Sequence, residues 1–137
     1  MATNFCKVFA IITLAAATVI MNPPLLAQQQ TIQDGVYTQT QAAAGKRLYE
    51  EACRHCHDLA FFKNRLISFG GMTLLDYWYA MFRKMPADKP GSLKDSEYLE
   101  IIAYTLSVNG FPPGKSELVP SNQLGKIKID LLLNHSN

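Results

Sequence analysis

The chain has 137 residues, 48% of them hydrophobic, with 13 Lys and Arg against 11 Asp and Glu. That length suits one domain with enough apolar material for a core, and the composition is neither collagen-like nor that of a disordered chain. A formal net charge of +2, without basic clusters interleaved with aromatics, argues against nucleic acid as a partner and against an electrostatic hold on membranes.

Lys7 opens a short positive region, and Val8 to Met21 is apolar apart from two threonines. Asn22-Pro23-Pro24 breaks the run, and Leu25-Leu26-Ala27 precedes a glutamine-rich stretch. This is the pattern of a secretory signal peptide over residues 1–27, cut after Ala27. The apolar run falls short of the roughly 20 residues that span a bilayer. Cleavage removes Lys7 and Cys6, so the mature chain keeps 12 basic and 11 acidic side chains and only Cys53 and Cys56. A periplasmic protein without membrane contact is expected.

Residues 28–40 are polar, with a turn signal at Asp34-Gly35, and read as a flexible leader to a domain over 41–137. A first helix is expected from Gln41 to Ala52, capped by Thr38 or Thr40, with Ala44, Leu48 and Ala52 as its apolar stripe. Gly45 costs such a helix up to about 1 kcal/mol against alanine, which predicts a close helix crossing at that point. Asp58 to Gly71 has no clear period. Its Phe61, Phe62, Leu66, Ile67 and Phe69 are too apolar for a free loop, so the segment should pack on something.

Thr73 with Asp76 makes a capping box that opens a second helix, Leu74 to about Met85. Leu75, Trp78, Phe82 and Met85 form its apolar face, and Pro86 stops it. A third helix runs from about Ser96 to Val108, capped by Ser92 or Asp95, with Tyr98, Leu99, Ile102 and Leu106 facing the core and Asn109-Gly110 ending it. From Phe111 the tail is extended. Ile127, Ile129 and Leu131 alternate with Lys126, Lys128 and Asp130, a two-residue period that predicts a strand-like segment against the domain. The expected architecture is a small all-α domain of three main helices with an extended C-terminal tail.

Cys53-Arg54-His55-Cys56-His57 is a C-x-x-C-H haem attachment signature. Two thiols three residues apart can both reach the vinyl groups on one side of a porphyrin, and the next residue places an imidazole over the iron. A structural disulfide or a thioredoxin-type redox pair competes, although no βαβ unit is visible for the latter. Zinc is disfavoured, because four ligands within five residues cannot surround one tetrahedral ion. A second axial ligand is expected from a thioether, which raises the reduction potential and suits an electron carrier. The candidates are Met72, Met81 and Met85. Met85 is favoured because it ends a helix and is held by Pro86, with Met81 as its main rival. The predicted site is therefore Cys53, Cys56, His57 and Met85 around one covalent haem c, with His57 and Met85 on the metal. Phe61, Phe62, Trp78, Phe82 and Leu106 are candidates for the haem wall. A haem-based sensor or a peroxidase-like protein with an open distal position is the alternative.

The chain resembles the class I cytochromes c and, within them, the small cytochromes associated with quinoprotein alcohol and sugar dehydrogenases. The matching residues are Gly45, Leu48-Tyr49, Cys53 to His57, Met85-Pro86, Pro90 to Leu93, Tyr98, Ile101 to Tyr104, Asn109 to Pro112, Gly114 and Glu117-Leu118. The resemblance implies a crossing of Gly45 and Tyr49 with the last helix near Tyr104, with His57 proximal and Met85 distal. It implies an electron carrier rather than an enzyme, with a quinoprotein dehydrogenase or a terminal oxidase chain as redox partner. Two departures stand out. Asp58 occupies a position where the family usually has glycine, and no proline lies between His57 and Met85. The group that receives the proximal imidazole N–H therefore stays open, and the segment Leu59 to Phe69 must cover the haem edge in another way. That apolar segment, with Phe61 and Phe62, is also the candidate docking patch.

Overall fold

The computed structural model describes residues 28–132, so the expected signal peptide lies outside the described residues. Four α-helices make the frame: α1 Gln39–Leu48, α2 Leu59–Ile67, α3 Leu74–Phe82 and α4 Asp95–Val108. Among the described residues there is no strand, and no helix is long and apolar enough to cross a membrane. The fold is all-α, as expected, with one helix more than the three predicted.

Thr38 caps α1, its hydroxyl accepting from the Gln41 N–H at 3.1 Å. The buried line is Gln41, Ala42, Gly45 and then Tyr49, not the predicted Ala44, Leu48 and Ala52. Gly45 explains the rotation. It lies against α4, where an added Cβ would run into the Glu100 carbonyl and sit 3.0 Å from the Ile101 nitrogen. The crossing is centred on the residue without a side chain, so the apolar face turns to follow it. Gln41 is buried on this face, and its amide is satisfied at both ends by Leu118, donating to the carbonyl at 2.8 Å and accepting from the N–H at 3.0 Å.

The additional helix, α2, begins at Asp58. Its carboxylate accepts from the Phe61 N–H at 2.7 Å, which satisfies one of the free donors of the first turn. Phe62 and Leu66, four apart, are its buried residues. α3 carries the predicted capping box. The Thr73 N–H donates to Asp76 Oδ2 at 2.9 Å, and the Asp76 N–H returns to Thr73 Oγ1 at 3.2 Å. Leu74 and Tyr77 are its buried residues, not Leu75, Trp78 and Phe82. Trp78 and Phe82 stack on each other at 5.1 Å, with Phe82 edge-on to Tyr98 at 5.6 Å. They form an aromatic layer beside the core rather than inside it. α3 ends at Phe82, so Met85 lies in the turn that follows, although its N–H still reaches the Met81 carbonyl at 2.8 Å.

Neither Ser92 nor Asp95 caps α4. Lys94 occupies the cap position, and the Glu97 carboxylate accepts its N–H at 2.7 Å. Tyr98, Leu99, Ile102 and Leu106 are fully buried as predicted, and Ile101 and Thr105 join them. α4 is buried on two sides because it separates the main core from a smaller cluster around Tyr49, Phe62 and Ile101.

The segment 28–40, expected as a flexible leader, is packed instead. Ile32 and Tyr37 are buried in the main core, and the Tyr37 hydroxyl donates to the Phe111 carbonyl at 2.6 Å. The Gln33 side chain donates to the carbonyls of Asp130 and Leu132, 97 and 99 residues away in the tail. The tail runs between this segment and the turn before α3. Ile127 and Ile129 are buried while Lys128 is exposed, as the two-residue period predicts. Lys128 exchanges backbone hydrogen bonds with Gln30 and Ile32 at 2.9 and 3.0 Å, while Ile127 and Ile129 bond to Leu74, Met72 and Gly71. These are isolated bridges at Thr31 and Thr73 rather than a strand.

The capping box makes a pH prediction. Hydrogen bonds from the Thr73 hydroxyl and amide hold the Asp76 carboxyl below the usual carboxylate range. A carboxyl with a depressed folded pKa contributes stability above its unfolded pKa and loses it as pH falls through the folded value. Asp76→Ala should therefore cost about 1 kcal/mol near neutral pH and flatten the acid limb of the stability profile below about pH 4. Urea unfolding of both proteins at several pH values reads both effects. An unchanged acid limb would mean that other carboxylates dominate acid unfolding.

Candidate functional site

α1 runs directly into a widened π-turn, Tyr49–Cys53, closed by the Arg54 N–H on the Tyr49 carbonyl at 2.8 Å. The C-x-x-C-H motif leaves this turn. The Cys56 and His57 N–H groups both donate to the Cys53 carbonyl, at 3.1 and 2.9 Å, which folds the five residues into one compact loop. The Tyr49 hydroxyl donates to the His57 carbonyl at 3.0 Å. Tyr49 itself is wedged between Phe62 at 4.8 Å and Tyr104 at 5.4 Å. The crossing of Gly45 and Tyr49 near Tyr104 is therefore the structural support of the motif.

Phe61 lies flat on the His57 imidazole, with ring centres 4.1 Å apart and planes 15° from parallel. The contact exists because Asp58 starts α2 immediately after His57. Asp58, which departs from the glycine of the cytochromes c that the sequence resembles, thus starts the helix that orients the histidine.

The motif opens into a largely apolar cavity of about 390 Å³, within the range of cofactor sites. Cys53, Cys56 and His57 line it, and so do Met81 and Met85. Met72 does not; it is exposed on the turn before α3. Of the expected wall residues, Phe61 and Phe62 line the cavity. Trp78 and Phe82 pack in their own stack, and Leu106 lies deep in the main core. Tyr77, Leu93, Tyr98 and Ile101 take their places. The spacing held part of this information: Tyr77 and Met81 are four apart on α3, and Tyr98 and Ile101 three apart on α4, so each pair shares a face.

The chemistry of the donor set fits haem c. Cys53 and Cys56 are free thiols, and burial pushes the Cys53 thiol pKa up. A redox-exchange cysteine needs the opposite, a depressed pKa. Among the described residues no three His, Cys, Asp or Glu side chains converge as a metal-binding group, so the geometry gives zinc no site. An apolar cavity with two thiols, an imidazole and two thioethers suits a flat apolar macrocycle with an iron at its centre.

Met85, beyond the end of α3, is anchored by contacts from outside the helix. Its carbonyl accepts from the Tyr98 hydroxyl at 2.6 Å and from the Gly91 N–H at 3.3 Å. Tyr98 is fully buried, so this anchor belongs to the rigid part of the fold.

A search among curated proteins and another among solved structures found no match to the chain. Residues 40–104 match the family model described as cytochrome c oxidase, cbb3-type, subunit III. The matched stretch begins in α1 and ends in α4, so it contains the motif, the cavity and both methionines. Together with the all-α fold, this supports a class I cytochrome c domain with haem c as its cofactor and electron carriage, rather than enzymatic turnover, as its role.

Proposed function

We propose that the protein is an exported, periplasmic electron carrier with one haem c, attached through Cys53 and Cys56 and ligated by His57 and Met85. The observation that carries this reading is the shared cavity, where the attachment motif at the end of α1 meets the methionines at the end of α3. The haem supplies a one-electron couple at its iron. The chain's own residues set the conditions. Phe61 fixes the plane of the imidazole, Tyr49 holds the motif by its backbone, and Tyr98 with Gly91 holds the backbone of Met85. Apolar walls exclude water and favour the less charged, reduced iron.

The family description names an oxidase subunit, which supports a terminal oxidase chain as the acceptor. A quinoprotein dehydrogenase as the donor rests on the sequence resemblance. Leu59 and Phe61 are each 40% exposed and Ile67 60% exposed on α2, and exposed apolar side chains beside the site suit brief contact with a partner. The test is reduction of the exported protein by such a dehydrogenase, followed by re-oxidation by oxidase-containing membranes. Failure of both half-reactions would remove these partners while leaving the electron-carrier reading intact; the spectrum of the iron separates carrier from sensor. A six-coordinate low-spin spectrum with the weak near-infrared band of sulfur ligation supports the carrier, and a high-spin ferric spectrum with fast cyanide binding supports an open iron.

The hold on Met85 makes a further prediction. Tyr98→Phe removes the donor to its carbonyl and should cost about 1 kcal/mol of stability. It should also weaken the sulfur–iron bond, so that the near-infrared band is lost at lower pH than in the wild type. A band with wild-type pH dependence would show that Tyr98 serves packing alone.

A further inference from the structure

One cation at the cavity is unexplained by the fold. Arg65, in the last turn of α2, lines the cavity and is half-buried. Its guanidinium lies over the Phe69 ring, 4.9 Å from the ring centre. Among the described residues the one ion pair is Lys46 with Glu50, so Arg65 has no carboxylate partner. A guanidinium beside an apolar cavity without an anion is poorly compensated, because burial removes its water without returning a counter-charge. Its field is felt within the site. Burial pushes the Tyr77 phenol up to about 12, while a hydrogen bond with Thr105 and the positive charge of Arg65 act in the opposite direction.

We infer that Arg65 receives a carboxylate of the cofactor, a haem propionate. This rests on the haem reading above. Cys53 and Cys56 would take the vinyl half of the porphyrin, leaving the two propionates for the rest of the cavity. The planar fork of an arginine matches a carboxylate with two parallel hydrogen bonds. Its stacking on Phe69 fixes the fork in advance, which reduces the entropy lost on binding. Lys84 also lines the cavity but is exposed, so water screens its charge. Asp88 is the only carboxylate on the lining. The other ionisable lining groups are His57 and the two thiols, committed to the haem in this reading, and Tyr77 and Tyr98.

The experiment compares exported wild-type protein with Arg65→Gln, Arg65→Lys, Lys84→Gln and Asp88→Asn. Haem attachment is checked first by mass, then the midpoint potential is measured from about pH 5 to 8. Arg65→Gln should lower the midpoint by about a tenfold change in the ratio of oxidised to reduced protein at fixed poise, 59 mV for a one-electron couple. It should also steepen the rise of the potential as pH falls, because the propionate becomes protonated more readily. Arg65→Lys should restore most of the midpoint, and it serves as the informative variant if Arg65→Gln does not assemble. Lys84→Gln and Asp88→Asn should keep the wild-type slope. A wild-type midpoint and slope in Arg65→Gln, no restoration in Arg65→Lys, or an equal change in Lys84→Gln would overturn the assignment. Absence of haem from the wild-type protein would overturn the proposed function itself, and the mass shows this before any potential is measured.

Discussion

Gly45→Ala should leave little folded protein. Alanine is ordinarily the better helix residue, by about 1 kcal/mol, so an exposed site would gain from the change. At Gly45 the methyl group would meet the Glu100 carbonyl and the Ile101 nitrogen, both backbone atoms of α4. A flexible side chain can swing aside, but a helix backbone can only be pushed away. Separating α1 from α4 would loosen the most extensive helix contact among the described residues. Overpacking of this kind costs about 3 kcal/mol or more, a large part of a typical net stability of about 5–15 kcal/mol. The damage should spread to the site, because Tyr49, one turn further along, holds His57 by its carbonyl. Urea unfolding and haem content of the exported protein measure both effects. Gly125→Ala is the control: its added methyl would touch Leu75 at 3.4 Å, an ordinary contact, and should change stability little. Equal stability of the two variants would refute the crossing argument.

Met85→Ala should open the iron, and Met81→Ala should not. Both side chains line the cavity, and their four-residue spacing gives them similar reach. The difference lies in the backbone. Met81 sits in the regular turn of α3, whereas Met85 lies beyond the helix end with its carbonyl held by Tyr98 and Gly91. A residue outside the helix can turn its side chain to the iron without distorting a hydrogen-bond ladder. Met85→Ala should abolish the sulfur-to-iron charge-transfer band and lower the potential, since thioether ligation raises it. Met81→Ala should keep the band and lose only packing, about 2 kcal/mol or more. Loss of the band in Met81→Ala alone would move the distal ligand to Met81.

The features legible in the sequence are those whose causes are local. The attachment motif, the Thr73–Asp76 capping box and the Gly45 crossing each follow from a few neighbouring residues. The burial of Ile127 and Ile129 followed from simple alternation. α2 is hard to see in the sequence because its one local signal, the Asp58 cap, stands directly after the C-x-x-C-H motif, where the resemblance leads one to expect glycine. Phe61 also blurs the period, since it is apolar yet partly exposed, stacked on His57, while Phe62 and Leu66 are the buried pair of the helix. The packing of residues 28–40 was hidden for a different reason. Ile32 and Tyr37 bury themselves against the distant tail, and no window of local sequence contains both partners. The faces of α1 and α3 came out rotated because hydrophobic spacing ranks residues by apolarity. The real packing is centred on a glycine in one helix and on Leu74 and Tyr77 in the other. Arg65 carried no sequence signal, because its meaning lies in a missing partner that only the assembled cavity reveals.

The central claim is that Cys53, Cys56 and His57 hold one covalent haem. The most direct measurement is the intact mass of the exported, acid-denatured protein, taken with its pyridine haemochrome spectrum. Acid and solvent strip a haem held only by axial ligands, but thioether bonds survive them. The account predicts a mass raised by one haem, with the absorption of a porphyrin saturated at both vinyl groups. Cys53→Ala and Cys56→Ala should each shift the spectrum to that of a single remaining vinyl group or lose the haem, and His57→Ala should give no stable haem protein. A wild-type mass equal to that of the bare polypeptide, or one lower by two hydrogens as for a disulfide, would contradict the account.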